Sequence, residues 1–126
     1  MKKTEETCIR GCADVSLINR SIQELSELDR KIQQVSTILG LTGNETRLKI
    51  LYLIKTEKKV CVCDLSDILG VSISAVSQQL SKLRNGGILV SSKEGQTIYY
   101  FIAPNFIKTV DHIFELFNHK SIKRVA

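Results

Sequence analysis

Leu69-Gly-Val-Ser-Ile-Ser-Ala-Val-Ser-Gln-Gln-Leu-Ser-Lys-Leu-Arg84, closed by Asn85-Gly86-Gly87, decides how the rest of the chain is read. Gly70-Val71-Ser72 has the composition of a tight turn. From about Ser74 to Asn85 the apolar residues Val76, Leu80 and Leu83 recur at helical spacing, so one face of this helix is held to a body and the other is left free. Gly86-Gly87 stops it. Before the turn, Asp64–Leu69 reads as a short helix with Asp64 as its cap, entered through Val60-Cys61-Val62-Cys63. Two helices joined by so short a turn form a helix-turn-helix.

Downstream the period changes. Ile88-Leu89-Val90-Ser91-Ser92 and Thr97-Ile98-Tyr99-Tyr100-Phe101-Ile102 are rich in β-branched and aromatic residues and flank the four-residue polar turn Lys93-Glu94-Gly95-Gln96, which predicts a β-hairpin. Phe106, Ile107, Val110, Ile113, Phe114 and Phe117 then restore the helical period to about His119. Upstream, Leu17, Ile18, Ile22, Leu25, Leu28, Ile32 and Val35 predict a long amphipathic helix from Val15 to about Leu39, broken by Gly40 and Gly43. Asn44 caps a second helix whose apolar side is Leu48, Ile50, Leu51, Leu53 and Ile54, reaching about Lys55. Four helices, a hairpin and a last helix make a mainly α chain with a β-hairpin wing, a winged helix-turn-helix.

Composition agrees. The 126 residues fit one domain able to bury a core without disulfides, and 43% hydrophobic with 25% charged residues is ordinary for a globular chain. A single Pro and 7 Gly leave little room for irregular loops. The first residues lack the apolar stretch of a signal peptide, and nothing approaches the roughly 20 apolar residues of a membrane span, so the expected location is cytoplasmic, with no membrane partner. In that reducing compartment the four cysteines, Cys8, Cys12, Cys61 and Cys63, point to metal binding or redox sensing rather than to a disulfide framework.

The second helix of a helix-turn-helix enters the major groove and offers base edges its exposed side chains. Here those are Ser74, Ser77, Gln78 and Ser81; Gln pairs with adenine through two hydrogen bonds, and a Ser hydroxyl bonds a base or a phosphate. Lys82 and Arg84 at its end suit the helix dipole and backbone phosphate, and Lys93 and Gln96 of the wing complete the candidate DNA contacts. Residues 72–126 hold 7 Lys+Arg against 3 Asp+Glu, whereas residues 1–71 hold 11 against 10, so the positive excess sits with the reading helix and wing.

Thiolates are soft donors that select Cd(II), Pb(II), Bi(III), Hg(II), Cu(I) or Zn(II) over Mg(II) and Ca(II). Cys61 and Cys63 bracket one residue where the chain bends into a helix, and Cys8 and Cys12 lie four apart, so each pair can face one ion and four sulfurs can complete a tetrahedron. Three would suffice for As(III) or Pb(II). Two other readings stay open. Cys61 and Cys63 alternate with valines as small buried residues would, and paired thiols can also form a disulfide that releases DNA.

The stretch from Leu69 to Arg84 with the following Gly-Gly-Ile-Leu-Val resembles the recognition region of the ArsR/SmtB family of metal-sensing repressors. Asn44-Glu-Thr-Arg-Leu-Lys-Ile-Leu51 is similar to that family's second-helix signature, and Val60-Cys-Val-Cys-Asp-Leu65 to its metal-binding box. The similarity covers roughly residues 35–117 with the three motifs in family order, and the arm bearing Cys8 and Cys12 resembles the cadmium/lead-sensing branch. The resemblance implies a homodimer paired through its first and last helices. It implies binding to double-stranded operator DNA as an inverted repeat, with half-sites about one turn (~10 bp) or a multiple apart. It further implies release when Cd(II), Pb(II), Bi(III) or Zn(II) binds the thiolates, derepressing metal-resistance genes, with the arm supplied by the opposite protomer. Residues 1–14 are then a metal-binding arm, 15–120 the DNA-binding and dimerisation domain, and 121–126 a basic tail.

A zinc pattern that some family members carry on the last helix is absent in register, falling on Pro104, Phe106, Phe117 and Lys120. Asp111, His112, Glu115 and His119 nonetheless share that helix and form a candidate second metal site, against the reading of a solvated polar face. No Gly-rich phosphate loop, His-Glu-x-x-His or Ser/His/Asp set is present, so an enzyme is not expected. The rival functions are a thiol redox-responsive regulator, a ligand-independent DNA-binding regulator of the same fold, and a metal buffer.

Overall fold

The computed structural model describes residues 11–57 and 59–118. In chain order these form α1 (Val15–Thr42), α2 (Glu45–Thr56), α3 (Val62–Leu69), α4 (Ile73–Asn85), β1 (Leu89–Glu94), β2 (Thr97–Ile102) and α5 (Ile107–Glu115), with 3-10 turns at Pro104–Phe106 and Leu116–Asn118. They fall into two compact units, one up to Ser36 and one from Thr37. This is the winged helix-turn-helix expected, with several local differences.

The first unit is α1 up to Ser36. Asp14 caps it, its Oδ1 accepting from the Leu17 N–H at 3.0 Å. Its apolar stripe stands in solvent: Val15, Leu17, Ile18, Ile22, Leu25, Leu28, Ile32 and Val35 are between 36% and 64% exposed.

The second unit opens on the end of α1, which runs through Gly40 to Thr42 instead of breaking near Leu39. One Gly inside a helix costs about 1 kcal/mol against Ala, too little to break a helix of 28 residues. The close comes at Gly43, whose N–H donates to Leu39 O at 2.8 Å, while Thr42 Oγ1 donates to Ile38 O at 3.0 Å. Asn44 caps α2 as the sequence predicts, its Oδ1 accepting from Arg47 N at 3.0 Å.

The start of α3 differs from expectation. The helix begins at Val62, Cys61 is its N-cap, and Asp64 is the third helical residue. The Cys61 N–H donates to Asp64 Oδ2 at 3.2 Å, so the carboxylate acts as the distal member of a capping box, and a sulfur sits where Ser or Thr is usual. Gly70, at φ 68°, ends α3 in the left-handed conformation that L side chains avoid. Ser72 Oγ then accepts from Ala75 N at 3.0 Å and starts α4.

Val76, Leu80 and Leu83 of α4 are sealed with Ile50, Leu51, Leu65, Ile88, Leu89 and Val110 in a single, mainly aliphatic core that also takes in Phe114. Each such buried side chain contributes about 1.5–3 kcal/mol over leaving it in water. The hairpin pairs Leu89 with Ile102 through to Glu94 with Thr97. Lys93 and Glu94 are therefore strand residues, and the turn is two residues, Gly95-Gln96, rather than the expected four; Gly95 at φ 63° permits it. The last helical segment is likewise shorter than Phe106–His119, because Phe106 belongs to a 3-10 turn and Leu116–Asn118 tighten into another. His119 lies outside the described residues.

Candidate nucleic-acid interface and thiolate pair

Burial of Val76, Leu80 and Leu83 fixes the roll of α4, and with it which side chains face outward. Ser74, Gln78 and Ser81 are exposed on one face at i, i+4 and i+7, with Lys82 and Arg84 exposed beside them. Ser77 is half-buried, turned partly toward the body. On the wing, Lys93 and Gln96 are exposed, so every candidate DNA contact except Ser77 is exposed. Lys82 and Arg84 occupy the last turn of α4, where a cation complements the helix dipole.

The cysteines of α3 are built into the root of the same wing. Tyr100 N donates to Val60 O at 3.1 Å, and Cys61 and Tyr99 form an isolated antiparallel bridge, so the segment entering α3 lies along the free edge of β2. Lys59 strengthens the join, with its Nζ 2.7 Å from Glu94 Oε1 and 5.0 Å from the Tyr99 ring centroid. The hydrogen bond to Glu94 raises the Lys59 pKa above its ordinary value. Cys61, half-buried, and Cys63, exposed, line one depression of about 440 Å³ with Val62, Gln96, Thr97 and Ile98. Two soft donors thus face the turn of the wing.

Of the other two sulfurs the structure describes one. Cys12 is an exposed free thiol in the first unit, and Cys8 lies outside the described residues. Among the described residues no three His, Cys, Asp or Glu side chains gather closely enough to hold a metal, so Cys61 and Cys63 offer two of the ligands a tetrahedral site needs. On α5, Asp111 Oδ1 pairs with Lys55 Nζ at 3.6 Å, and His112 Nδ1 lies 3.5 Å from Glu115 Oε1, both at the surface. These three do not converge as a ligand set within the chain.

Sequence spacing could not have found two of the ties around these sites. Lys59 meets Glu94 across 35 residues, and Arg47 Nη1 donates to Gln79 Oε1 at 2.8 Å across 32. Among the described residues no helix is long and apolar enough to cross a membrane.

Known proteins share this fold. Residues 44–91 match the family model described as bacterial regulatory protein, arsR family. The cadmium resistance transcriptional regulatory protein CadC of Listeria innocua is 33% identical over 97 residues, which span 77% of this chain and 80% of that protein. Among solved structures, reduced HlyU from Vibrio cholerae superposes with a TM-score of 0.66 at 31% identity, covering 73% of this chain and 97% of the other. The homodimeric winged helix-turn-helix DNA-binding domain of Mycobacterium bovis Mb0332 gives a TM-score of 0.64 over 94% of each chain, at 22% identity, and shares the fold.

Proposed function

Because the chain belongs to the ArsR family of bacterial regulatory proteins, on its CadC-like side, we propose that it is an operator-binding homodimer released when a soft metal ion binds its cysteine thiolates. Membership makes it a DNA-binding transcriptional regulator and not an enzyme, and the cadmium and arsenic resistance regulators among its relatives support metal-responsive regulation. The observation that carries the finer reading is the shared depression in which Cys61 and Cys63 face Gln96 and Thr97 at the wing turn. A metal drawn to the α3 sulfurs acts where the wing meets the body, next to groups assigned to DNA.

In the DNA-bound state, Ser74, Ser77, Gln78 and Ser81 read base edges, while Lys82, Arg84, Lys93 and Gln96 hold backbone. Two copies are needed to span an inverted repeat, and the stripe along α1, together with the exposed Leu116 and Phe117 that follow α5, supports pairing through the first and last helices. Residues 1–14 act as an arm that brings Cys8 and Cys12 from the partner protomer, residues 15–120 form the DNA-binding and dimerisation domain, and 121–126 are a basic tail. Cd(II), Pb(II), Bi(III) and Zn(II) are the inducers that this donor set suits. Binding ties the arm to the reading head and biases the dimer away from the geometry that fits two consecutive grooves. By linkage, DNA weakens metal binding by the same factor, typically ~5–150-fold.

The deciding experiment titrates reduced apo-protein with Cd(II), following the ultraviolet thiolate-to-metal charge-transfer band and the anisotropy of labelled operator together. The expected result is a band that saturates at one Cd(II) per protomer, with DNA released over the same range. DNA binding with no band, or with a band and no release, overturns it in favour of a ligand-independent or thiol-redox regulator. A band without specific DNA binding leaves a metal buffer.

The last-helix set of Asp111, His112, Glu115 and His119 is the competing metal site. With Asp111 already paired to Lys55, His112→Ala is expected to leave Zn(II)-driven release unchanged. Release abolished in His112→Ala but retained in Cys61→Ser would transfer the metal response to the last helix.

A further inference from the structure

We infer that Arg47 is a positioning residue for the recognition helix, tying the end of α1 to α4 through Gln79, so that the set of the reading face is fixed from the helix offered to a partner. The inference rests on the DNA-binding reading above and adds a residue to which that reading gave no role.

Arg47 stands in the first turn of α2, where its N–H is the one the Asn44 cap accepts from, and is half-buried. Its guanidinium is a rigid planar fork with five donors, able to hold several acceptors in fixed relation. Here the fork is spent on two elements. Nε donates to Leu41 O at 2.6 Å, and Nη2 makes a longer contact, 3.5 Å, with Gly40 O. Both carbonyls belong to the last turn of α1, which has no intrahelical donors left to offer them, and a cation there also complements the dipole. Nη1 donates to Gln79 Oε1 at 2.8 Å, reaching α4 in its middle, one residue from Gln78 on the exposed face.

A second contact joins the same two places. Leu41 packs on Gly86 at the end of α4, where an added Cβ would collide with the Leu41 Cδ1 methyl. Arg47, anchored on the last turn of α1, and Leu41 within that turn therefore hold α4 at two points, a charge-assisted bond at Gln79 and an apolar contact at Gly86. Together they hold in place along its axis a helix whose roll the buried Val76, Leu80 and Leu83 already set. The commitment of Gln79 Oε1 has a corollary. Bidentate adenine reading needs the amide oxygen as well as the NH2 group, so Gln78 is the adenine reader and Gln79 is not.

The test compares wild type with Arg47→Ala, Arg47→Lys, Gln79→Ala and the Arg47→Ala/Gln79→Ala pair, all as the full chain. Each is measured against a duplex recovered by wild-type selection from random sequence, against a scrambled duplex, and by amide hydrogen exchange over residues 73–85. Each single substitution is expected to weaken selected-duplex binding by about 10-fold, the lower range for a hydrogen bond to a charged group. Binding to the scrambled duplex and the salt slope should stay unchanged, because no phosphate contact is removed. The double variant should be no weaker than the singles, and exchange along α4 should quicken in all four.

Arg47→Lys separates positioning from charge, since an ammonium keeps the charge but not the fork. Wild-type affinity in Arg47→Lys, losses that multiply in the double variant, or equal losses on both duplexes would each overturn the inference. Should wild type select no sequence, the DNA-binding reading falls by itself. Unaltered α4 exchange in Arg47→Ala and Gln79→Ala would then still refute the tie.

Discussion

A Cys61→Ser variant is expected to bind Cd(II) about 100-fold more weakly than wild type and to stay on operator DNA at Cd(II) levels that release the parent. Apparent free energies for four-ligand thiolate-rich sites run to about 10–16 kcal/mol, so one sulfur carries roughly 3 kcal/mol. The substitution is unusually clean because Cys61 is the N-cap of α3, a position that serine fills at least as well. Lost metal affinity then cannot be assigned to a damaged helix start, and an unchanged thermal midpoint is the control. The charge-transfer band, read per protomer, should fall in proportion to the sulfurs removed. Cys12→Ser extends the test to the arm, with a loss of similar size expected if four sulfurs bind. Full Cd(II) affinity and response in Cys12→Ser would sink the four-sulfur site while leaving Cys61 and Cys63 in place. Full affinity in Cys61→Ser would remove the α3 thiolates from the mechanism altogether.

Leu80→Ala should cost about 2–5 kcal/mol of folding stability, read as a lower urea midpoint at unchanged slope. Leu80 is 0% exposed and stands in α4 between Val76 and Leu83, all three against the aliphatic core. Truncation opens a cavity that the two helices of the motif can only partly close. For a domain with about 5–15 kcal/mol in total, that is a large share. A loss below about 1 kcal/mol would mean that α4 settles onto the core without this leucine, and the rigid docking of the reading helix would have to be given up.

How much of this was legible in the sequence depends on the range of the interaction. Helical periodicity placed α1, α2, α4 and α5, and β-branched and aromatic composition placed both strands, because these signals repeat along the chain itself. Asn44 shows the same rule at the start of a helix, whereas Ser72, by composition part of the tight turn, also caps α4. Local chemistry misled where two neighbours shared a task. Asp64 has the composition of a cap, but it acts from three residues inside the helix on the Cys61 N–H, moving the start of α3 back to Val62. Gly40 has the composition of a stop, yet the helix passes it and ends where Gly43 turns. In the hairpin, Lys93 and Glu94 look like turn residues, but pairing with Ile98 and Thr97 claims them for the strands.

Contacts across 30 or more residues left no trace in spacing. The candidate site was therefore read as two separate sets, a reading face and a cysteine motif. That Cys61 and Cys63 open onto the same depression as Gln96, or that Lys59 and Glu94 lash the cysteine segment to the wing, follows only from the folded chain. The Arg47 bond to Gln79 was hidden for the same reason, although both residues lie inside motifs already singled out.

The bare stripe of α1 bears on how a cell would experience this protein. If the species that grips an inverted repeat is a pair assembled along that stripe, its abundance follows the square of the free chain's wherever single chains predominate. Dilution by growth and division would then lift repression more sharply than in proportion. The promoter's response to metal would be tuned by expression level as much as by thiolate affinity, and single polar replacements at Ile22 or Leu25 would act as a rheostat on dosage without touching either the sulfurs or the reading face.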